Sequence, residues 1–188
     1  MENDKIIARN FFAINDFSKS ENGNYKVSGL LSIFDNENEN FNGFVYHKGC
    51  YNNFCENYYA ANNKNIPLDI LHNTEDIYHL AGKVTEFNAT ENEVRIIAEV
   101  SRFTPLYENI VGLIEDGVLQ GFSDMSFVND GYIDNKTGLL HVTECSIFSV
   151  SLVQNPAVVK SQLQALNATK FNFTKKKEEV KKSSFFGL

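Results

Sequence analysis

The sequence has no tryptophan, and no apolar run approaches the ~20 residues that a membrane-spanning helix needs. Its first residues, MENDKIIARNFF, lack the apolar stretch of a secretory signal. Cysteine is scarce. Cys50, Cys55 and Cys145 are odd in number and widely spread, which argues against a disulfide framework and for reduced thiols in a cytoplasm. His47, Cys50 and Cys55 fall in HKGCYNNFC, but no second ligand pair accompanies them, so neither a metal nor another cofactor is expected. Positive charge is in deficit, with 17 Lys and Arg against 24 Asp and Glu and a net charge of −7. That balance speaks against non-specific nucleic-acid binding by the whole chain. No internal repeat is visible, and no long linker occurs before about residue 160.

What is present suits one folded domain. The chain has 188 residues, enough to bury a sizeable core, and 13% of them are aromatic. Residues 25–34, 80–88, 93–103, 118–128 and 139–153 carry the β-branched and aromatic patterning of strands. Residues 66–72, IPLDILH, form an apolar run that ends in His72. NATEN reads as a hairpin turn and NDGYIDNKTG as a second turn. A helix is expected over 105–116, capped by Thr104, opened by Pro105 and stopped by Gly117, with Leu106, Ile110, Leu113 and Ile114 on one face. Asn155 and Pro156 predict a second helix over 156–167. Residues 170–188 hold six Lys against two Glu, a local charge of +4 that leaves −11 on the rest. Such a basic tail on an acidic body suggests a docking or processing segment.

The expected fold is therefore α+β, a mostly antiparallel, barrel-like core with a few helices. Residues 1–24 read as an N-terminal extension, 25–168 as the domain and 169–188 as the flexible basic tail.

Three segments carry candidate chemistry: IPLDILHN (66–73), DGVLQGFSDMSF (116–127) and LHVTECSIFSVSLVQNPA (140–157). They supply His, then Ser, then an acidic residue on separate strands. A serine needs a base to attack at neutral pH, and the base needs a partner to hold its tautomer.

In this order and spacing the segments resemble the prohead proteases of tailed bacteriophages, a family similar in fold to the herpesvirus capsid proteases. The resemblance spans roughly residues 25–160. VSGLLSIFDN (27–36), KGCYNNF (48–54), LDILH (68–72) and LAGKV (80–84) match its earlier segments. Gly117, Leu119, Gly121 and Ser123 match its Gly-x-Leu-x-Gly-x-Ser pattern, and ECSIFSVSLVQNPA (144–157) its last strand.

The resemblance implies Ser123 as nucleophile, His72 as base and Glu144 as the acid that orients His72, with Ser126 and His141 as alternatives. His79 is a fallback base. It implies a serine endopeptidase that cuts capsid and scaffold proteins, and itself, inside the procapsid in the host cytoplasm. It also implies self-association, and no nucleic-acid or membrane partner. The sequence departs from the pattern in three places. Ser149 stands where the family's last strand carries an acid, Asn73 follows His72 in place of Asp, and Asp124 follows the nucleophile. A carboxylate beside Ser123 would oppose an oxyanion there. These departures also fit a runner-up reading, an inactive protease-like assembly factor.

Overall fold

A computed structural model describes residues 7–35, 43–61 and 64–154. Eight strands carry the fold: β1 (Ile7–Lys19), β2 (Tyr25–Ile33), β3 (Phe44–Tyr46), β4 (Ile66–Ile70), β5 (Leu80–Ala89), β6 (Glu93–Val100), β7 (Leu119–Ile133) and β8 (Leu140–Gln154). One helix, α1 (Tyr107–Glu115), precedes β7, and a short π-helical segment, Phe54–Tyr59, lies between β3 and β4. The predicted helix over 156–167 and the basic tail lie outside the described residues.

The strands pair in the order β3-β8-β4-β5-β6-β2-β1-β7, and β7 also pairs with β8. The α+β expectation holds, since strands dominate and helices are few. The sheet is mixed, however: β8 runs parallel to both β3 and β4, while the other pairings are antiparallel. Alternation explains the core. Tyr25, Val27, Leu31 on β2 and Val94, Ile96, Ala98, Val100 on β6 all turn the same way and are buried. The NATEN turn forms as read, with the Thr90 amide donating to the Glu93 carbonyl at 2.8 Å.

Three local expectations shift. Helix α1 starts two residues later than expected, because the Thr104 hydroxyl donates to the Leu80 carbonyl (2.6 Å) instead of capping the helix. Its buried face is Ile110 and Ile114, while Leu113 is exposed. Strand β7 runs on to Ile133, so the turn shrinks to 134–139, closed by the Asp134 amide on the Leu139 carbonyl. Gly131 permits this: a Cβ there would meet the His141 carbonyl oxygen at 2.4 Å. Finally, residues 1–24, expected as an extension, contain β1, which pairs with both β2 and β7.

Candidate active site

Strand β4 ends in a sharp turn. Leu71 and His72 both adopt left-handed backbone conformations, with φ of 56° and 64°. Each such residue costs on the order of 1 kcal/mol when it is not glycine, so the turn needs external ties. The His72 amide donates to Asp69 Oδ1 (3.0 Å), the Leu71 amide to the Leu152 carbonyl (3.2 Å), and the Asn73 amide to the Ile70 carbonyl (3.3 Å). Strain held this way clusters at functional sites. The turn carries the His72 ring over β8, where Nδ1 lies 2.9 Å from Ser151 Oγ.

Ser151 is the centre of a polar row. It pairs with Asp69 across the parallel β4–β8 ladder and with Ser123 across the antiparallel β7–β8 ladder. Directly paired residues project from the same face, so Asp69, Ser151 and Ser123 stand side by side. All three are fully buried. The Ser151 hydroxyl donates to Asp69 Oδ1 at 2.5 Å. The buried Ser123 hydroxyl has no hydrogen-bond partner among the described residues. Antiparallel partners have Cα atoms about 4.5–5.5 Å apart, so Ser123 and the residue that His72 touches are immediate neighbours. Strand β1 holds the other edge of β7, with Phe11 opposite Ser123.

Burial pushes the Asp69 carboxyl above its ordinary value of 3.8. Hydrogen bonds from Ser151 and the backbone of His72 and Asn73, with the nearby Ser149 hydroxyl, pull the other way without cancelling that rise. Ser149 lies two residues before Ser151 on the same face of β8, also fully buried. Its hydroxyl aids Asp69 electrostatically, yet makes no hydrogen bond of ordinary geometry.

The remaining candidates lie elsewhere. Asp124 follows Ser123 in sequence but alternation turns it to the core face, beside Tyr51 and Cys145. Its carboxylate therefore does not oppose an oxyanion at Ser123. The Ser126 hydroxyl donates to Asp124 Oδ2 at 2.5 Å, so Ser126 serves that buried carboxylate on the face away from Ser123. Glu144 sits seven residues before Ser151 on β8, about 23 Å along the strand at ~3.3 Å per residue. It is held by Asn53 (2.7 Å), opposite Asp130, and is not brought to His72. His141 is farther still, bonded to His47 at 2.9 Å and stacked on Tyr132, while Asp35 holds the other side of His47 at 2.5 Å. His79 contacts Asp76 and Asn73, each at 3.2 Å. Cys50 and Cys145 are buried free thiols whose backbones bond at 2.9 Å.

Sequence reasoning missed Asp69 and Ser151. The available signal was a charged residue inside the apolar run IPLDIL, three residues before the histidine, and the alternating serines of SVSLV.

No protein-family model matches this chain, and no curated protein matches it. Among solved structures the chain is similar to the bacteriophage T4 capsid assembly protease gp21, with a TM-score of 0.65 at 14% sequence identity, covering 81% of this chain and 100% of that one. At that identity the likeness is one of fold alone.

Proposed function

We propose that this protein is a serine endopeptidase of phage capsid maturation, with Ser123 as nucleophile and His72 as general base. The observation that carries the reading is the seating of His72 by a strained turn onto Ser151, the direct neighbour of a buried, uncommitted Ser123 hydroxyl. The shared fold with a capsid assembly protease supports the choice of substrate. In this reading His72 takes the Ser123 proton as Oγ attacks a peptide carbonyl. The protonated ring then gives that proton to the leaving amine, and water later hydrolyses the acyl-enzyme. The substrates are capsid and scaffold proteins and the chain itself, cut inside a procapsid in the host cytoplasm, where copies of the enzyme associate.

A second reading takes Ser151 as the nucleophile, favoured by its 2.9 Å contact with His72. Against it, the single Ser151 proton is already directed at Asp69, so Ser151 has none to surrender to the imidazole. A mass-spectrometric time course tests both. Purified wild type, Ser123→Ala and Ser151→Ala are incubated with the capsid and scaffold proteins and with a fluorophosphonate probe. Fragments in wild type that vanish in Ser123→Ala, with the adduct on Ser123, are expected. An adduct on Ser151 would move the nucleophile there. Well-folded wild type that yields neither fragments nor adduct would favour the inactive assembly factor.

A further inference from the structure

We infer that Asp69, acting through Ser151, is the group that fixes the tautomer of His72, so that the base is served by a carboxylate on its own strand and a serine relay rather than by Glu144. The inference rests on the reading of His72 as base in the preceding subsection.

The argument is one of proton counting. Ser151 Oγ lies 2.5 Å from Asp69 Oδ1 and 2.9 Å from His72 Nδ1. A hydroxyl has one proton to give, and an ionised carboxylate can only accept. The Ser151 proton therefore goes to Asp69, and Ser151 Oγ offers only lone pairs to the imidazole. His72 Nδ1 must then carry the ring proton and donate to Ser151, which leaves Nε2 with the lone pair. Nε2 thus becomes the basic nitrogen, able to take the proton of Ser123.

The same Asp69 oxygen also accepts the His72 amide at 3.0 Å. One atom thereby holds the backbone of the left-handed turn and, through Ser151, the ring that the turn presents. When His72 becomes an imidazolium, Asp69 faces it across the Ser151 hydroxyl dipole. Asp69 and Ser151 are buried and His72 is half-buried, so these charges act more strongly than at an open surface. Asp69 and Ser151 are positioning residues: neither needs to touch the peptide.

The first test does not depend on activity. Protein with ¹⁵N-labelled histidine is examined by NMR above the titration range of His72, as wild type and as Ser123→Ala. The expected result is an Nδ1-protonated His72 in both, changing toward the Nε2-protonated form in Ser151→Ala. An Nε2-protonated His72 in otherwise native protein would overturn the inference, whether or not the enzyme cuts anything. The second test is kinetic. Asp69→Asn keeps an acceptor oxygen for Ser151 but removes the charge. It should lower kcat on the order of a thousandfold, with KM little changed. Adding Ser151→Ala to Asp69→Asn should cost far less than the two single losses multiplied, since the two residues act as one unit. Wild-type turnover in Asp69→Asn, from a wild type that cuts through Ser123, would sink the relay and leave the protease reading standing. A wild type that neither cuts nor takes the probe would sink the protease reading while the NMR result still decides the relay.

Discussion

The Ser123 hydroxyl, like that of Ser149, is buried without a hydrogen-bond partner among the described residues, whereas Ser126 and Ser151 each donate to a carboxylate; of the two, Ser123 is the one paired directly with Ser151. Ser123→Ala removes only that oxygen. Cleavage should vanish while the melting temperature stays within a few degrees of wild type, checked by mass spectrometry and thermal denaturation of the same samples. Glu144→Gln should leave the cleavage rate unchanged, because that side chain lies about 23 Å down β8 from the row. A large loss of rate in that variant would require a partner chain or a different state to bring Glu144 to the site. Asp69 makes a prediction of opposite kind for stability. Its folded-state carboxyl titrates above its ordinary 3.8, so between those two values the folded protein binds more protons than the unfolded chain. Stability contributed by this group therefore falls as pH rises through that window. Above that window the buried carboxylate is a burden, and Asp69→Asn should melt there at or above the wild-type temperature even as it loses activity. The difference should disappear in melts taken below pH 3.8. Gain of stability with loss of turnover separates a functional charge from a structural one.

At the scale of elements, the close approaches of backbone are the sharpest points of failure. A Cβ at Gly82 would sit 1.9 Å from the Glu99 carbonyl oxygen, so β5 and β6 must part to admit it. Gly82→Ala should cost about 1–3 kcal/mol, and thermal melts should read that as roughly 2–4 °C per kcal/mol for a chain of this size. The same segment shows what the sequence made legible. Strands β2, β5, β6, β7 and β8 and helix α1 each announced themselves by periodicity or by β-branched and aromatic residues, because each packs against the core. Strand β1 was hidden because Asn10, Asn15 and Asp16 interrupt its pattern, and its pairing with β7 is remote in sequence. The proposed site was half legible for a related reason. His72 and Ser123 stood out through the ordered segments around them. Asp69 and Ser151 did not, because their meeting depends on the parallel register of β4 against β8. Local pattern carries no trace of such a register, whereas Glu144 sat in a recognisable segment and drew the assignment.

For the whole molecule, β8 is the seam. Among the described strands, β4 pairs with β5 and β8, and β7 pairs with β1 and β8. Strand β8 is thus the one described strand that pairs directly with both the strand leading to His72, which holds Asp69, and the strand holding Ser123, with Ser151 as the shared point. A polypeptide cut within 134–139 should lose cleavage in its larger fragment and regain it when residues 140–188 are supplied in trans. Loss of activity that the second piece cannot restore, with the two pieces bound, would show that the seam is not sufficient.

This placement also sets a clock. Chains emerge from the ribosome amino-terminus first, at ~5–20 residues per second, and every described strand except β8 precedes residue 140. In the proposed reading a half-made protein already carries its nucleophile and its base, yet lacks the strand that pairs with both β4 and β7 and sets Ser151 against His72. It stays harmless to itself and to its neighbours until translation has passed residue 154.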